Sequence, residues 1–253
     1  MREVKNMSVL VTGGGSGIGE ATARLFAARG AKVTISGRRA DKIDAVSRSI
    51  GSACRGVVGD VTLEADRQAM LAAALEHGGK LDLLVNNAAN MYRQAVDGYT
   101  EEVLKDAFNT NVIAPMLLSR MAVAHLEKTQ GCIIFLGSIH NRRAYPGASP
   151  YATTKAAVEG LSRVMAAELG RRQIRVNCVL PGAVSTEINL RAGLVSPQQL
   201  AERYAAVAPD HALGRIGTSA EVAESIEYLA CAEWVTGVAL EVDGGLGLGV
   251  SKF

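Results

Sequence analysis

Aromatic residues are scarce in this sequence: Phe, Trp and Tyr together make up 4% of its 253 residues, with a single tryptophan. Hydrophobic residues still reach 48%, so any core must be built mainly from Ala, Val, Leu and Ile. An excess of charge of one sign is also missing. Lys and Arg number 27 against 25 Asp and Glu, a formal net charge of +2, which argues against a surface for nucleic acid or membrane. Arg142-Arg143 and Arg171-Arg172 are short pairs at solvated corners. No segment approaches the length of a bilayer span, and the apolar run in MREVKNMSVLVTGGG is too short for a secretory signal. Cys54, Cys132, Cys178 and Cys231 form no C-x-x-C pair. His77, His125, His140 and His211 are isolated, so no metal-ligand spacing appears. These absences lead us to expect a soluble, cytoplasmic protein of a reducing compartment, with no metal, nucleic-acid or membrane partner.

What the chain does have is alternation. Short runs rich in β-branched residues at 8–12, 32–36, 55–58, 81–85, 132–138, 174–180 and 238–243 read as strands. They are continuously apolar, as expected when both faces of a sheet are covered. Helical patterns fall between them, near 17–29, 40–50, 63–77, 101–126, 151–169 and 219–231. Thr100, Ser196 and Thr218 supply start signals, the last two with Gln199 and Glu221 in capping-box positions. Seven strands alternating with helices predict an α/β fold: a Rossmann-type, doubly wound, seven-stranded parallel sheet flanked by helices. No linker, repeat or low-complexity tract interrupts it, so residues 1–253 read as one domain. The mixed stretch at about 185–215 is suited to a mobile lid over a site.

VTGGGSGIGEATARLFAARG follows the first strand and opens the first helix. Gly13, Gly17 and Gly19 form T-G-x-x-x-G-x-G, a wide-spaced form of the dinucleotide fingerprint. Such a turn must be tight, must let backbone approach a pyrophosphate, and must point free N–H groups at that anion. At the end of the second strand, where NAD enzymes place a carboxylate for the ribose diol, the sequence reads Gly37, Arg38, Arg39. Guanidinium matches a ribose 2′-phosphate in charge and geometry, so NADP(H) is favoured over NAD(H). Solvated arginines, or Arg38 stacked on adenine, remain the alternative. Asp60-Val61 and Asn86-Asn87-Ala88 lie at strand carboxyl ends, where a doubly wound sheet binds its ligand.

YATTK at 151–155 puts Tyr151 and Lys155 one helical turn apart on a shared face. Together with TGGGSGIG (12–19), DV (60–61), NNA (86–88), Asn111 in FNTNV, Ser138 in FLGS, RVNCVLPG (175–182) and VDGG (242–245), it resembles the classical short-chain dehydrogenases/reductases over about Ser8 to Gly245. Ala89 departs from the glycine common at that place and removes no functional group. The resemblance implies a catalytic tetrad of Asn111, Ser138, Tyr151 and Lys155. It makes Tyr151 the acid/base, Lys155 its electrostatic partner and holder of the nicotinamide ribose, Ser138 the donor to the substrate oxygen, and Asn111 the holder of a relay water. An ammonium beside it and an oxidised nicotinamide would both lower the phenol pKa from about 10. Cofactor contacts are expected from Gly13, Ser16, Gly17, Ile18, Gly19, Arg38, Arg39, Asp60, Val61, Asn87, Ala88, Tyr151, Lys155, Pro181, Gly182, Val184 and Thr186.

The expected activity is an NAD(P)(H)-dependent interconversion of a ketone and a secondary alcohol. The small-molecule substrate is either a 3-oxoacyl thioester or a sugar, polyol or small cyclic alcohol. His140, two residues after Ser138, faintly resembles sugar dehydrogenases, whereas Arg142 and Arg143 could meet an acidic substrate or carrier. A catalytically silent nucleotide sensor or scaffold on the same fold is the alternative. Homotetramers are expected from the family, through the helices near 101–126 and 151–169 and the C-terminal strand.

Overall fold

The structure, a computed structural model, describes residues 1–249; residues 250–253 of the expected domain lie outside the described residues. Seven strands, β1 (Ser8–Thr12), β2 (Lys32–Gly37), β3 (Cys54–Val58), β4 (Leu83–Asn86), β5 (Cys132–Leu136), β6 (Arg175–Pro181) and β7 (Ala239–Val242), form one sheet in the order β3-β2-β1-β4-β5-β6-β7. Every pairing is parallel; Val9, for instance, sits between Val33 and Leu83.

Side chains alternate across a strand, so a buried strand must feed two cores. Val9 and Val11 point into one, with Phe26, Ile43 and Ile226. Leu10 between them points into the other, with Met70, Leu118 and Val158. Helices α1 (Gly17–Ala28), α2 (Ala40–Ile50) and α9 (Ser219–Cys231) cover the first face, and α3 (Glu64–Gly78), α5 (Ala114–Thr129) and α6 (Ser149–Leu169) the second. Phe26 and Phe135 are the only aromatics among the largest fully buried side chains, and Leu and Ile fill most of the rest. The strand order reverses between β1 and β4, which opens a crevice beyond their carboxyl ends.

Besides β5, which ends at Leu136 instead of 138, three stretches differ from the sequence reading or add to it. The strand expected at 81–85 begins at Leu83, because the Asp82 carboxylate is buried and accepts from the Ser8 amide at 2.8 Å while pairing with Arg2 and Lys80. The expected helix 101–126 is α4 (Glu101–Phe108), a π-helical turn over Asn109–Ile113, then α5. Pro115 has no N–H to give to the carbonyl four residues back, that of Asn111, so the regular ladder cannot pass through. The stretch at 185–215 carries short helices, α7 (Ile188–Arg191) and α8 (Pro197–Val207), with the Ser196–Gln199 capping box formed. Its fold is held by Tyr204, whose hydroxyl donates to the carbonyls of Val184 and Thr186 and accepts from the Thr186 amide.

Candidate active site

The glycine turn between β1 and α1 has the shape that its sequence requires. Gly13 and Gly17 adopt φ of +69° and +58°, which L side chains resist. Gly19 has ordinary φ, but a Cβ there would lie 2.6 Å from Asn87 Nδ2 and press on the Gly13 carbonyl. Asn87 is needed at that spot: its amide donates to the carbonyls of Thr12 and Gly13. Thr12 ties the same two strands together, its hydroxyl accepting from the amides of Asn87 and Ala88. Ser16 stands at the N-cap of α1 but makes no side-chain cap bond, so the first N–H groups of the helix face the crevice without a side-chain acceptor. Small residues and unpaired N–H groups at a helix start fit a pyrophosphate.

Beside the turn lies a cavity of about 260 Å³ lined by Gly13, Ser16, Gly37, Arg38, Arg39, Lys42 and Asn90. Arg38 donates to Asn90 and lies 3.7 Å from Asp60. Arg39 donates to the Ser16 hydroxyl at 2.8 Å and pairs with Glu187 at 3.1 Å, and Lys42 reaches the same carboxylate at 3.7 Å. Asp60 folds back on Thr62, accepting from its amide and hydroxyl, and Val61 is buried with its carbonyl accepting from Arg67.

The second cavity, about 170 Å³, is lined by Ser138, His140, Tyr151 and Lys155, and by Ile18, Pro181, Gly182, Val184 and Thr186. The expected nicotinamide contacts therefore converge on three members of the expected tetrad, Ser138, Tyr151 and Lys155; Asn111 is not in the lining. Gly182 leaves room for Asp243, whose Cα would be 2.7 Å from a Cβ there. Thr186 stands over the turn, its methyl 3.2 Å from where a Cβ on Gly17 would be.

Tyr151, Ser138 and Lys155 are buried. Lys155 Nζ lies 5.6 Å from the Tyr151 ring centre and donates to the Leu136 carbonyl at 2.7 Å. Burial pushes Tyr151 up to about 12, opposed by a hydrogen bond from Ser138 and the Arg93 charge. Lys155 is pushed down to about 8 by burial, opposed by Cys178. The expected depression of the phenol by Lys155 does not appear: burial is the largest cause of the shift, and the side chain stays a phenol, the proton-donating form. Asn111 uses its side chain to join the segment at Asn90 to α6. Its Oδ1 accepts from the Asn90 amide, and its Nδ2 donates to the Asn90 carbonyl and Thr154 hydroxyl. Pro115, which lacks an N–H, cannot give the Asn111 carbonyl the donor that a regular α-helix would supply.

His140 is only a faint pointer in the sequence, yet it lies 3.0 Å from the Ser138 hydroxyl through Nδ1, and its ring meets Tyr151 edge-on at 5.3 Å. Burial, then the charges of Arg93, Arg203 and Lys155, push it down to about 4, so it is neutral at pH 7. Arg93 Nη2 faces its Nε2 at 3.5 Å. Arginine can only donate, which assigns the ring proton to Nδ1 and leaves Ser138 free to donate its own hydrogen.

The arginines flagged in the sequence point elsewhere. Arg142 is clamped by Glu159, at 2.8 and 3.0 Å, and by Glu241 at 2.7 Å. Arg143 pairs with Asp210 and lies over Tyr145. Arg93, Tyr145, Asn189 and Arg203 line the cavity instead. None carries a motif. The only signal is position: Arg93 follows the β4 carboxyl end, and Arg203 lies in the stretch expected to cover the site.

Comparison with known proteins agrees with this geometry. A family model described as enoyl-(acyl carrier protein) reductase matches residues 13–247. Glucose 1-dehydrogenase of Gluconobacter oxydans is 37% identical over 95% of this chain and 91% of its own length. A short-chain dehydrogenase/reductase of unknown function from Caenorhabditis elegans, solved with cofactor, superposes with a TM-score of 0.92 at 29% identity, covering 98% of each chain. 3-Ketoacyl-(acyl-carrier-protein) reductase from Brucella melitensis, complexed with NADH, gives 0.87 at 30% identity over 96% of this chain and 99% of that one.

Proposed function

Because the chain belongs to the short-chain dehydrogenase/reductase family and is a nicotinamide-dependent oxidoreductase acting on CH–OH groups, we propose that it interconverts a ketone and a secondary alcohol with Tyr151 as acid and base. The carrying observation is the convergence of Tyr151, Ser138 and Lys155 on one cavity at the end of the glycine turn. When bound, the nicotinamide supplies or accepts the hydride. Gly13, Gly17 and Gly19 let the backbone approach its pyrophosphate, and Pro181, Gly182, Val184 and Thr186 frame the carboxamide end. In reduction, negative charge grows on the substrate oxygen. Ser138 donates a hydrogen bond to that oxygen, held in position by His140 behind it. Tyr151 gives up its proton to the same oxygen, and in oxidation it takes the proton back. Lys155 stabilises the phenolate left behind and holds the nicotinamide ribose. The Asn111 carbonyl holds water that returns a proton through Lys155.

Arg38, Arg39 and Lys42 gather three cations where a ribose 2′-phosphate would lie, with no carboxylate on Gly37, and this supports NADP(H) over NAD(H). The substrate cavity favours a small polar compound over an acyl carrier. Its lining holds His140, Tyr145 and Asn189, and Arg142, the cation the sequence offered for an acidic carrier, is held by Glu159 and Glu241. The sugar-dehydrogenase relative supports the same class. Tyr151→Phe tests the chemistry. Cofactor binding measured by titration should persist while turnover on a panel of sugars, polyols and an acetoacetyl thioester falls by roughly 10²–10⁴-fold. Turnover near wild type in that variant would refute the assignment of Tyr151.

A further inference from the structure

Two guanidinium groups line the substrate cavity without a matching carboxylate. Arg93 and Arg203 both border it, and neither forms an ion pair with an acidic side chain among the described residues. Arg142, Arg143, Arg163, Arg172 and Arg215, by comparison, each have an acidic partner within 3.2 Å, and Arg67 and Arg175, which have none, donate to backbone carbonyls. Arg93 is half-buried, and its Nε is shielded from solvent with no hydrogen-bond partner. Its one side-chain neighbour within hydrogen-bond range is neutral His140, at 3.5 Å. Arg93 and Arg203 are also close enough to repel: after burial, both charges weaken protonation of His140, and after burial Arg203 lowers the affinity of Arg93 for its proton. A half-buried guanidinium with a free donor beside a second cation is incomplete by itself and is satisfied by an anion from outside. Asn189, also in the lining, adds a buried side-chain oxygen without a partner among the described residues. That oxygen is an acceptor suited to a hydroxyl group.

We propose that Arg93 and Arg203 recognise an anionic group at the far end of the substrate, so that this enzyme acts on a small hydroxylated carbonyl or alcohol compound bearing a carboxylate or phosphate. The inference rests on the reading of this cavity as the ketone–alcohol site. His140 stands between the two ends: Ser138 lies on its Nδ1 side and Arg93 on its Nε2 side. The anion therefore sits one imidazole width from the reacting oxygen, the reach of a short carbon chain. Asn189 takes a hydroxyl of that chain, and Arg93 and Arg203 discriminate against neutral sugars and against acyl chains with no charge at this distance.

Two measurements on the whole chain with saturating NADP⁺ test this. Initial rates are compared for gluconate and malate, for glucose 6-phosphate, and for glucose and xylitol, in wild type, Arg203→Leu and Arg93→Leu. Thermal melting of the cofactor-loaded protein is followed with added malonate or inorganic phosphate, which needs no turnover. We expect kcat/KM for charged substrates to exceed that for neutral ones by at least tenfold, and each variant to erase most of that ratio by raising KM. We expect malonate or phosphate to raise the melting temperature of wild type and to lose that effect in Arg203→Leu. Carboxylates outperforming the phosphorylated sugar would identify the anion as a carboxylate, and the reverse as a phosphate. Neutral substrates preferred in wild type, or a melting shift unchanged in Arg203→Leu, would overturn the proposal. Should wild type turn over none of these compounds, the ketone–alcohol reading is in question. The melting shift then decides the anion site alone: retained in wild type and lost in Arg203→Leu it stands, and absent from wild type it falls.

Discussion

Asn87, at the end of β4, holds the carbonyls of Thr12 and Gly13 with its side-chain amide, at 2.8 and 3.1 Å. The nucleotide turn is therefore shaped from outside its own segment, and the space Gly19 leaves open is the space this amide fills. Asn87→Ala should cost about 1–3 kcal/mol, the usual penalty for leaving partly buried acceptors unsatisfied. Cofactor affinity should fall with it. Gly19→Ala should be worse for binding, because the new methyl must displace either Asn87 or the Gly13 carbonyl. Chemical denaturation and cofactor titration of both variants check this. Intact affinity in Gly19→Ala would show that the turn has slack that the geometry denies.

Much of this arrangement is legible in the sequence alone. Continuous apolar strands such as SVLVT announce a doubly covered sheet, and the glycine spacing announces a phosphate turn, because both follow from local sequence. What stays hidden depends on distant partners. Asp82 shortens β4 through Arg2 and Lys80, and nothing local to LDLLV shows that. The π-turn at Asn111 is readable in principle from Pro115, yet the apolar periodicity runs on through it. The sequence points to Arg142 as a cation for the substrate, but Glu159 and Glu241, 17 and 99 residues away, hold it. Arg93 and Arg203, which carry no motif, line the cavity in its place.

His140 should make the fold sensitive to mild acid. Its pKa is about 4 in the folded protein against an ordinary 6.5. As pH falls through 6.5 the unfolded chain takes up a proton that the folded chain refuses until about 4. The contribution is fully present above 6.5 and is lost as pH falls through 4. Burial opposes protonation most, followed by the charges of Arg93, Arg203 and Lys155. Carboxylates elsewhere titrate in the lower part of this range, so the difference between proteins carries the information. His140→Asn should lose less melting temperature than wild type between pH 7 and pH 4.5. Parallel curves would mean that the imidazole is protonated as readily in the fold as out of it.

The surface near α5 and α6 carries large apolar side chains left exposed. Ile113, at the end of the π-helical turn, Met116, at the start of α5, and Val164, on α6, are more than 40% exposed, and Trp234 beyond α9 is fully exposed. Large apolar side chains left outside on neighbouring helices suit a partner surface. A homotetramer, built through these two helices and the region around β7, is the expected state. Sedimentation velocity at micromolar concentration should show it, and Val164→Lys should shift the population to smaller species. A wild-type protein that sediments only as a monomer would refute the expectation.

Cofactor choice should turn on a competition inside the nucleotide cavity. Glu187 reaches from the segment before α7 to Arg39 at 3.1 Å and Lys42 at 3.7 Å, occupying the cations that a 2′-phosphate needs. Arg38, held only by Asn90 and a long contact to Asp60, is the readier partner. One charge-assisted contact is worth about 1.5–3 kcal/mol, so NADP⁺ should bind about ten- to a hundredfold more tightly than NAD⁺. Glu187→Gln should widen that gap by releasing Arg39 and Lys42. Gly37→Asp with Arg38→Leu should reverse it, by restoring an acceptor for the ribose diol and removing a phosphate partner. Gly37 has no left-handed φ, and a Cβ there would lie 3.2 Å from Ile43 Cδ1, so the change asks the buried Ile43 side chain to give by a few tenths of an ångström. Isothermal titration of the three proteins with both oxidised cofactors decides the matter. If wild type binds NAD⁺ more tightly, Arg38 and Arg39 serve the fold through Asn90, Ser16 and Glu187 and do not read the phosphate.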